Sequence, residues 1–383
     1  MEFKLSEEQL EIKRAVREFC ENEFAPELAL ELDKKEEYPM ELYKKAAKLG
    51  FTSLFIPEQY GGQGYGYVEA SIAMEEMCRA DSSLGIATLI GLFGSDLLLY
   101  HGTEEQKKKY IPPLSRGEYI SAAAFTEPSR GSDITKMDTI ARKYGDEWWL
   151  NGTKTFITNA PIADFIIVLC QTDTKVRPTY RGQTLFIVEK GTPGLDVLEQ
   201  KNKMGIRCTA TGEVSLSDVK VTDAEILGEL NRGFYHSMWF FDISRIVVAA
   251  QAVGTAQGAF EIAFKYAKQR EAFGQPIMQF QQIGCKLAEV ATEIEAARLL
   301  VYKAAWTVDQ GSMDPMLTSM AKLYASKVAV KAADVAIQTL GGYGYMSEYR
   351  VEKFYRDAKI TEIYEGTSEI QRLTILRYLL RMF

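Results

Sequence analysis

The hydrophobic period of this chain changes twice along its 383 residues, and that double change restricts the fold more than any other feature. Through about residue 120 the apolar residues recur at helical spacing. Ser6 with Gln9 makes a capping box, and Leu5 and Leu10 occupy the two staple positions around it. A first helix therefore begins there, with Leu10, Val16 and Phe19 along one face. A further helical stretch over 38–49 breaks at Gly50 and meets a Gly-rich run from Pro57 to Gly64. That run reads as a plain turn rather than a phosphate cradle, because no Lys-Ser/Thr follows it and no strand precedes it. Helical spacing resumes over 68–100.

From about 121 to 230 the period shortens. Phe165-Ile166-Ile167-Val168-Leu169 and Thr184-Leu185-Phe186-Ile187-Val188 are short runs of strand-forming residues, and Asn151-Gly152 after Trp148-Trp149-Leu150 carries a hairpin signal. Short strands between turns predict a compact β-domain, not βαβ units, and no dinucleotide fingerprint of the Rossmann type occurs. From Gly233 onward long Ala-rich helical segments return, through Lys268, over 280–310 and over 315–340. Asp314 followed by Pro315 predicts a cap and first turn, and Gly341-Gly342 a stop. The expected class is α+β in three units: an all-helical unit over 1–120, a small β-barrel or sandwich over 121–230, and an antiparallel four-helix bundle over 231–383.

Composition removes several function classes. A formal charge of −7 lacks the positive face that nucleic acid requires. Cys20, Cys78, Cys170, Cys208 and Cys285 are scattered, with no C-x-x-C pair and no histidine cluster, which argues against a disulfide framework or a metal site. An acidic N-terminus and the lack of an uninterrupted apolar run of membrane length lead us to expect a cytoplasmic protein with no membrane insertion.

Two stretches carry chemistry. In Ile363-Tyr364-Glu365-Gly366-Thr367-Ser368-Glu369-Ile370-Gln371-Arg372, a carboxylate stands between a bulky Tyr and a Gly. It can face a cavity on one side while a ligand approaches the backbone on the other, which suits a catalytic base. Far upstream stands Phe125-Thr126-Glu127-Pro128-Ser129-Arg130-Gly131-Ser132-Asp133. In this order the two stretches resemble the signatures of the acyl-CoA dehydrogenases, and the resemblance covers essentially the whole chain. It implies the same helical, β, helical architecture and an FAD cofactor. It also implies an acyl-CoA substrate, an electron-transfer flavoprotein as partner, and a homotetramer built as a dimer of dimers.

The resemblance assigns roles residue by residue. Phe125 and Thr126 would meet the isoalloxazine, with Phe156 and Thr158 supplying its second face; many relatives carry Trp at the position of Phe156. Arg270, Phe273, Gln281, Gln338 and Gly342 would reach the FAD of a neighbouring subunit, through a two-point contact of the guanidinium with pyrophosphate and close backbone approach at glycine. Thr367 and Glu369 also fall at FAD-contact positions, although Glu369 often reads Gln elsewhere. Glu365 would take the α-proton, its own N–H helping to stabilise the enolate, and the β-hydrogen would pass as hydride to flavin, giving a trans-2-enoyl-CoA. Ser132, Asp242, Arg245 and Gly366 would contact the CoA side of the substrate.

Three departures bear on the substrate. Position 244 is Ser, where the isovaleryl and long-chain branches place their base, so straight or 2-branched acyl groups are favoured. The segment 83–90 lacks the Arg of the glutaryl branch. Arg130 stands where relatives mostly have a small residue, and could meet a CoA phosphate, a distal carboxylate or only solvent. An oxidase or monooxygenase of the same fold is the nearest rival; a noncatalytic flavin- or nucleic-acid-binding relative is opposed by the acidic charge and by Glu365.

Overall fold

A computed structural model describes residues 4–383. Seven helices come first: α1 (Glu7–Glu23), α2 (Pro26–Lys35), α3 (Met40–Lys48), α4 (Tyr67–Ala80), α5 (Ser82–Leu89), α6 (Ser95–His101) and α7 (Glu104–Ser115). The Ser6/Gln9 capping box forms as expected, with Ser6 Oγ accepting from Gln9 N at 3.1 Å. Leu10 remains 38% exposed, so Val16 and Phe19 form the buried face. The helical pattern over 68–100 is three helices, not one. Asp81 ends α4 and caps α5 by accepting from Leu84 N at 3.0 Å, and Gly94 with φ +95° precedes α6.

Eight strands follow: β1 (Ser121–Ala124), β2 (Ile140–Tyr144), β3 (Glu147–Thr158), β4 (Phe165–Gln171), β5 (Gln183–Glu189), β6 (Leu195–Glu199), β7 (Thr211–Thr222) and β8 (Ile226–Leu227). They run β6-β7-β3-β2-β4-β5-β8, with β1 parallel to β4. A single parallel pairing, Ile140 with Gln171, joins β2 to β4, so the sheet is two halves hinged at one point. Ile166, Val168 and Cys170 pack with Trp148, Leu150, Val214 and Leu216 between the halves, whereas Phe165, Ile167 and Leu169 pack with Leu97, Ile111 and Leu114 of the helical unit. Both faces of β4 are covered, which is why its sequence is an unbroken apolar run.

The Asn151-Gly152 hairpin is not formed. Those residues lie inside β3, and the β2–β3 turn falls at Gly145-Asp146. Register against β7 slips between Leu150 and Gly152, making a bulge. Gly152 has φ +150°, and a Cβ there would stand 2.5 Å from Thr139 Cα. The dipeptide therefore serves backbone approach rather than chain reversal.

The last unit comprises α8 (Gly233–Gln269), α9 (Gln281–Asp309), α10 (Pro315–Leu340), α11 (Val351–Lys359) and α12 (Ser368–Met382), with a short hairpin, β9 (Glu271–Ala272) and β10 (Gln275–Pro276), after α8. Asp314 Oδ1 accepts from Met316 N and Leu317 N, both at 3.0 Å. Buried alanines such as Ala249, Ala252, Ala256, Ala321, Ala325 and Ala329 sit in one cluster along α8 and α10, where small side chains permit close helix approach. Helix α8 is long and apolar enough to cross a membrane, yet 72% of its most apolar window is buried inside the fold. Lys353 staples the units together: its Nζ donates to Asp81 at 2.7 Å and Asp357 at 2.9 Å, while Asp357 accepts from Ile206 N at 2.6 Å.

Candidate active site

Glu365 lies in the loop between α11 and α12, and its backbone is left-handed, with φ +53° followed by +90° at Gly366. A non-glycine residue there costs about 1–3 kcal/mol unless its surroundings hold it. They do so by capturing both carbonyls. Arg245 Nε donates to Glu365 O at 3.3 Å, Gln371 Nε2 to Glu365 O at 3.1 Å and to Gly366 O at 2.7 Å, and Lys322 Nζ to Gly366 O at 2.8 Å. Gly366 is required sterically as well, since a Cβ would meet Gln371 Nε2 at 2.7 Å.

The turn aims the carboxyl at α8, where Ser244 Oγ donates to Glu365 Oε2 at 2.5 Å. Burial raises the Glu365 carboxyl above its ordinary range, and the Ser244 hydrogen bond, Arg245 and Lys322 oppose that rise. Burial likewise lowers Lys322 to about 7 and raises Asp242 to about 6 despite its 2.6 Å ion pair with Arg245. Next to it, the Tyr364 hydroxyl donates to Gln251 Oε1 inside α8.

Glu365 and Ser244 line a cavity of about 90 Å³ between the helical units, together with Thr158 at the end of β3. Its remaining walls are largely apolar, with Phe51, Phe55, Phe93 and Phe240 among them. Phe125 is buried behind this wall, stacked on Phe240 at 5.6 Å. Thr126 is half-buried and accepts from Thr155 N through its carbonyl at 2.9 Å. Phe156 has φ +58° and a ring that is 70% exposed.

The other sequence candidates fall elsewhere. Ser132 is exposed on the loop before β2. Thr367 caps α12, and Glu369 is exposed and paired with Arg372 at 2.9 Å. Arg270, Phe273, Gln281, Gln338 and Gly342 are all exposed and gather at the far ends of α8 and α10 and the start of α9. Arg130 is half-buried and pairs with Asp138 at 2.8 Å. Within the upstream motif Glu127 has a different task, since it is buried, bound to Lys154 at 3.0 Å and to the N–H groups of Asp138 and Thr139. Sequence reasoning missed Lys322, Gln371 and Gln251. Lys322 and Gln371 sit amid helical patterns that announce only a buried face; the polar residue on that face was the available signal.

A helical unit, a β-domain and a helical bundle thus meet around one strained carboxyl, where α8 faces the C-terminal loop. Three segments match the acyl-CoA dehydrogenase family: its N-terminal domain at 6–118, its middle domain at 122–219 and its C-terminal domain at 231–380. The chain is 44% identical to a 3-(aryl)acrylate reductase of Clostridium sporogenes, over 97% of this chain and 98% of that protein. It is 41% identical to a subunit of the caffeyl-CoA reductase–Etf complex of Acetobacterium woodii, over 98% and 99%. The solved butyryl-CoA dehydrogenase of Megasphaera elsdenii superposes with a TM-score of 0.95 at 40% identity, covering all of both chains. The chain belongs to the acyl-CoA dehydrogenase family, oxidoreductases acting on a CH–CH group, and its cofactor is FAD.

The surface around Thr158, which shares the cavity with Glu365, fits that cofactor. An exposed aromatic ring at Phe156 stands beside Thr158, and neither the Thr126 nor the Thr158 hydroxyl is hydrogen-bonded within the described residues. A flat apolar surface with free hydroxyls is the donor set that a ring system with one polar edge requires.

Proposed function

We propose that this enzyme interconverts a short- to medium-chain acyl-CoA thioester and its trans-2-enoyl-CoA, with Glu365 exchanging the α-proton. The observation that carries the reading is the Glu365 carboxyl, raised by burial and held by Ser244 at 2.5 Å on the wall of a small apolar cavity. A base of raised pKa in a site shielded from water suits removal of a weakly acidic C–H proton. Ser244 orients the carboxyl, Arg245, Lys322 and Gln371 fix the turn that presents it, and the N–H of Glu365 is offered to the thioester oxygen as negative charge develops. When bound through Phe125, Thr126, Phe156, Thr158, Thr367 and Glu369, FAD supplies the acceptor for the β-hydrogen. Ser132, Asp242, Arg245 and Gly366 would contact the CoA side of the substrate.

An electron-transfer flavoprotein is the proposed partner, in keeping with the Etf-complex relative. A homotetramer is supported by two features: α12 exposes Leu373, Leu376 and Leu380 in a row, and the Arg270 cluster lies far from Glu365. The test is a panel of acyl-CoA thioesters assayed with an artificial electron acceptor, together with reoxidation of the substrate-reduced enzyme in air. Turnover of short- to medium-chain thioesters with slow oxygen reaction is expected. Rapid reoxidation would assign an oxidase instead.

A further inference from the structure

The cavity holding Glu365 has a second polar feature that proton transfer does not use. Asp96, on α6, is 9% exposed and lines the same cavity, although no Lys, Arg or His lies within ion-pairing distance among the described residues. Its Oδ1 accepts from the Tyr67 hydroxyl at 2.5 Å. A carboxylate offers about four lone-pair sites, so one hydroxyl and a backbone N–H leave capacity unused. Thr52, from the short turn Phe51–Ser53, lines this cavity too; it is 4% exposed and its Oγ1 has no partner. Three chain segments thus bring an acceptor, a phenol and an unsatisfied hydroxyl to the wall of a cavity whose other lining is largely apolar, Phe51, Phe55, Phe93 and Phe240 included.

An unpartnered buried polar group is costly, and a buried carboxyl without a cation more so, which burial expresses by raising Asp96 to about 6. Asp96 also sits in the first turn of α6, but an Asn could serve that position without the burden of a buried charge.

Resting on the acyl-CoA reading above, we propose that Asp96, Tyr67 and Thr52 form a polar terminus of the acyl pocket that selects thioesters whose acyl group ends in a hydroxyl. Asp96 accepts that hydroxyl's proton in a hydrogen bond, and Thr52 donates to its oxygen. A distal carboxylate is excluded, because it would face Asp96 as a like charge in a poorly screened space. The phenylalanine walls accept either an alkyl or an aryl spacer.

The test compares methyl-, hydroxyl- and carboxyl-terminated acyl-CoA thioesters of matched length, and 3-phenylpropanoyl-CoA with its 4-hydroxy form, by kcat/KM on the intact flavoenzyme. The hydroxyl member of a pair is expected to exceed its methyl or phenyl counterpart by at least about tenfold, and the carboxyl member to be poorest. Whichever pair shows the preference identifies the spacer. In Asp96→Leu and Thr52→Val the hydroxyl preference should fall towards unity, while Asp96→Asn should admit the carboxyl-terminated thioester. Thr52→Val removes no charge and so reports even if Asp96→Leu does not fold. Equal turnover within the pairs, or a preference that survives in the variants, overturns the proposal while leaving the acyl-CoA reading intact. Failure of every thioester to reduce the flavin overturns both.

Discussion

The two ends of helix α8 use polar residues in opposite ways. Around Ser244 and Arg245 the polar side chains are buried or half-buried and largely paired with one another, and three helices, α8, α10 and α12, converge to hold one strained turn. Around Arg270 the polar and aromatic groups are exposed: Phe273 has φ +52° and is 96% exposed on a hairpin, with Gln338 and Gly342 nearby in the fold. At about 1.5 Å per residue, the helix separates Ser244 from Arg270 by about 39 Å. A buried, self-satisfied site is complete within one chain, whereas an exposed, strained cluster of recognition residues awaits something outside it. The proposal that Arg270 and its neighbours serve the FAD of another subunit accounts for this contrast.

The largest effect tests the buried end. Glu365→Gln keeps size and hydrogen-bonding capacity but cannot take a proton, so flavin reduction by the best thioester should fall about two to four orders of magnitude, or about 3–5 kcal/mol. Flavin content should persist. Because burial raises the folded-state pKa of Glu365 above its unfolded value, the fold favours the protonated form, and that contribution fades as pH rises through the raised pKa. Melting curves of wild type and variant should therefore lie together at low pH, where Glu365 is protonated, and draw apart as pH rises, with wild type losing stability. Reduction within a few-fold of wild type would remove Glu365 from the mechanism.

Moving the base is the next test. With Ser244 Oγ 2.5 Å from Glu365 Oε2, a carboxylate grown from position 244 enters the same space. The double change Ser244→Glu with Glu365→Gly should recover at least about tenfold over Glu365→Gly alone, since geometry ranks before pKa for a base. No recovery in a folded, flavin-loaded protein would mean that α8 does not face the reacting carbon.

A smaller change is expected from Lys322→Met. It removes a hydrogen bond to Gly366 O, which Gln371 still serves, and a positive charge that lowers Glu365. Rate should fall about tenfold, the equivalent of one net hydrogen bond, and the acid limb of the pH profile should move to higher pH. An unshifted limb would confine Lys322 to a structural role.

The same contrast explains what could be read from the sequence. Caps at Ser6 and Asp314, the β4 run and the Glu365 turn are local patterns, and each left a mark on consecutive residues. The partners of that turn did not: Lys322 is distant in the chain and meets it only after α10 packs, while Gln371, inside the same motif, reads locally as one more polar residue of α12 until its amide turns back on the Glu365 and Gly366 carbonyls. The Asn151-Gly152 signal misled for a related reason: the dipeptide suits both a tight turn and a bulge, and the approach of Thr139 decides between them.

Arg270→Ala carries the smallest expected effect on folding and breaks or sharpens the comparison at its other end. Arg270 is exposed at the C-terminal cap of α8, so its truncation should change the stability of the isolated fold by no more than about 0.5 kcal/mol. If its guanidinium holds a neighbour's pyrophosphate, flavin content and oligomeric order should nonetheless decline together, and added FAD should restore both. Absorbance for bound flavin and light scattering for mass, taken on the same fractions, measure the coupling. Full flavin in an intact tetramer would make the exposed end an ordinary solvated surface. Loss of flavin from a tetramer that stays whole would place Arg270 at a cofactor without making the assembly depend on it. A joint loss, with the melting of the apo-protein unchanged, is the outcome that only a shared site produces.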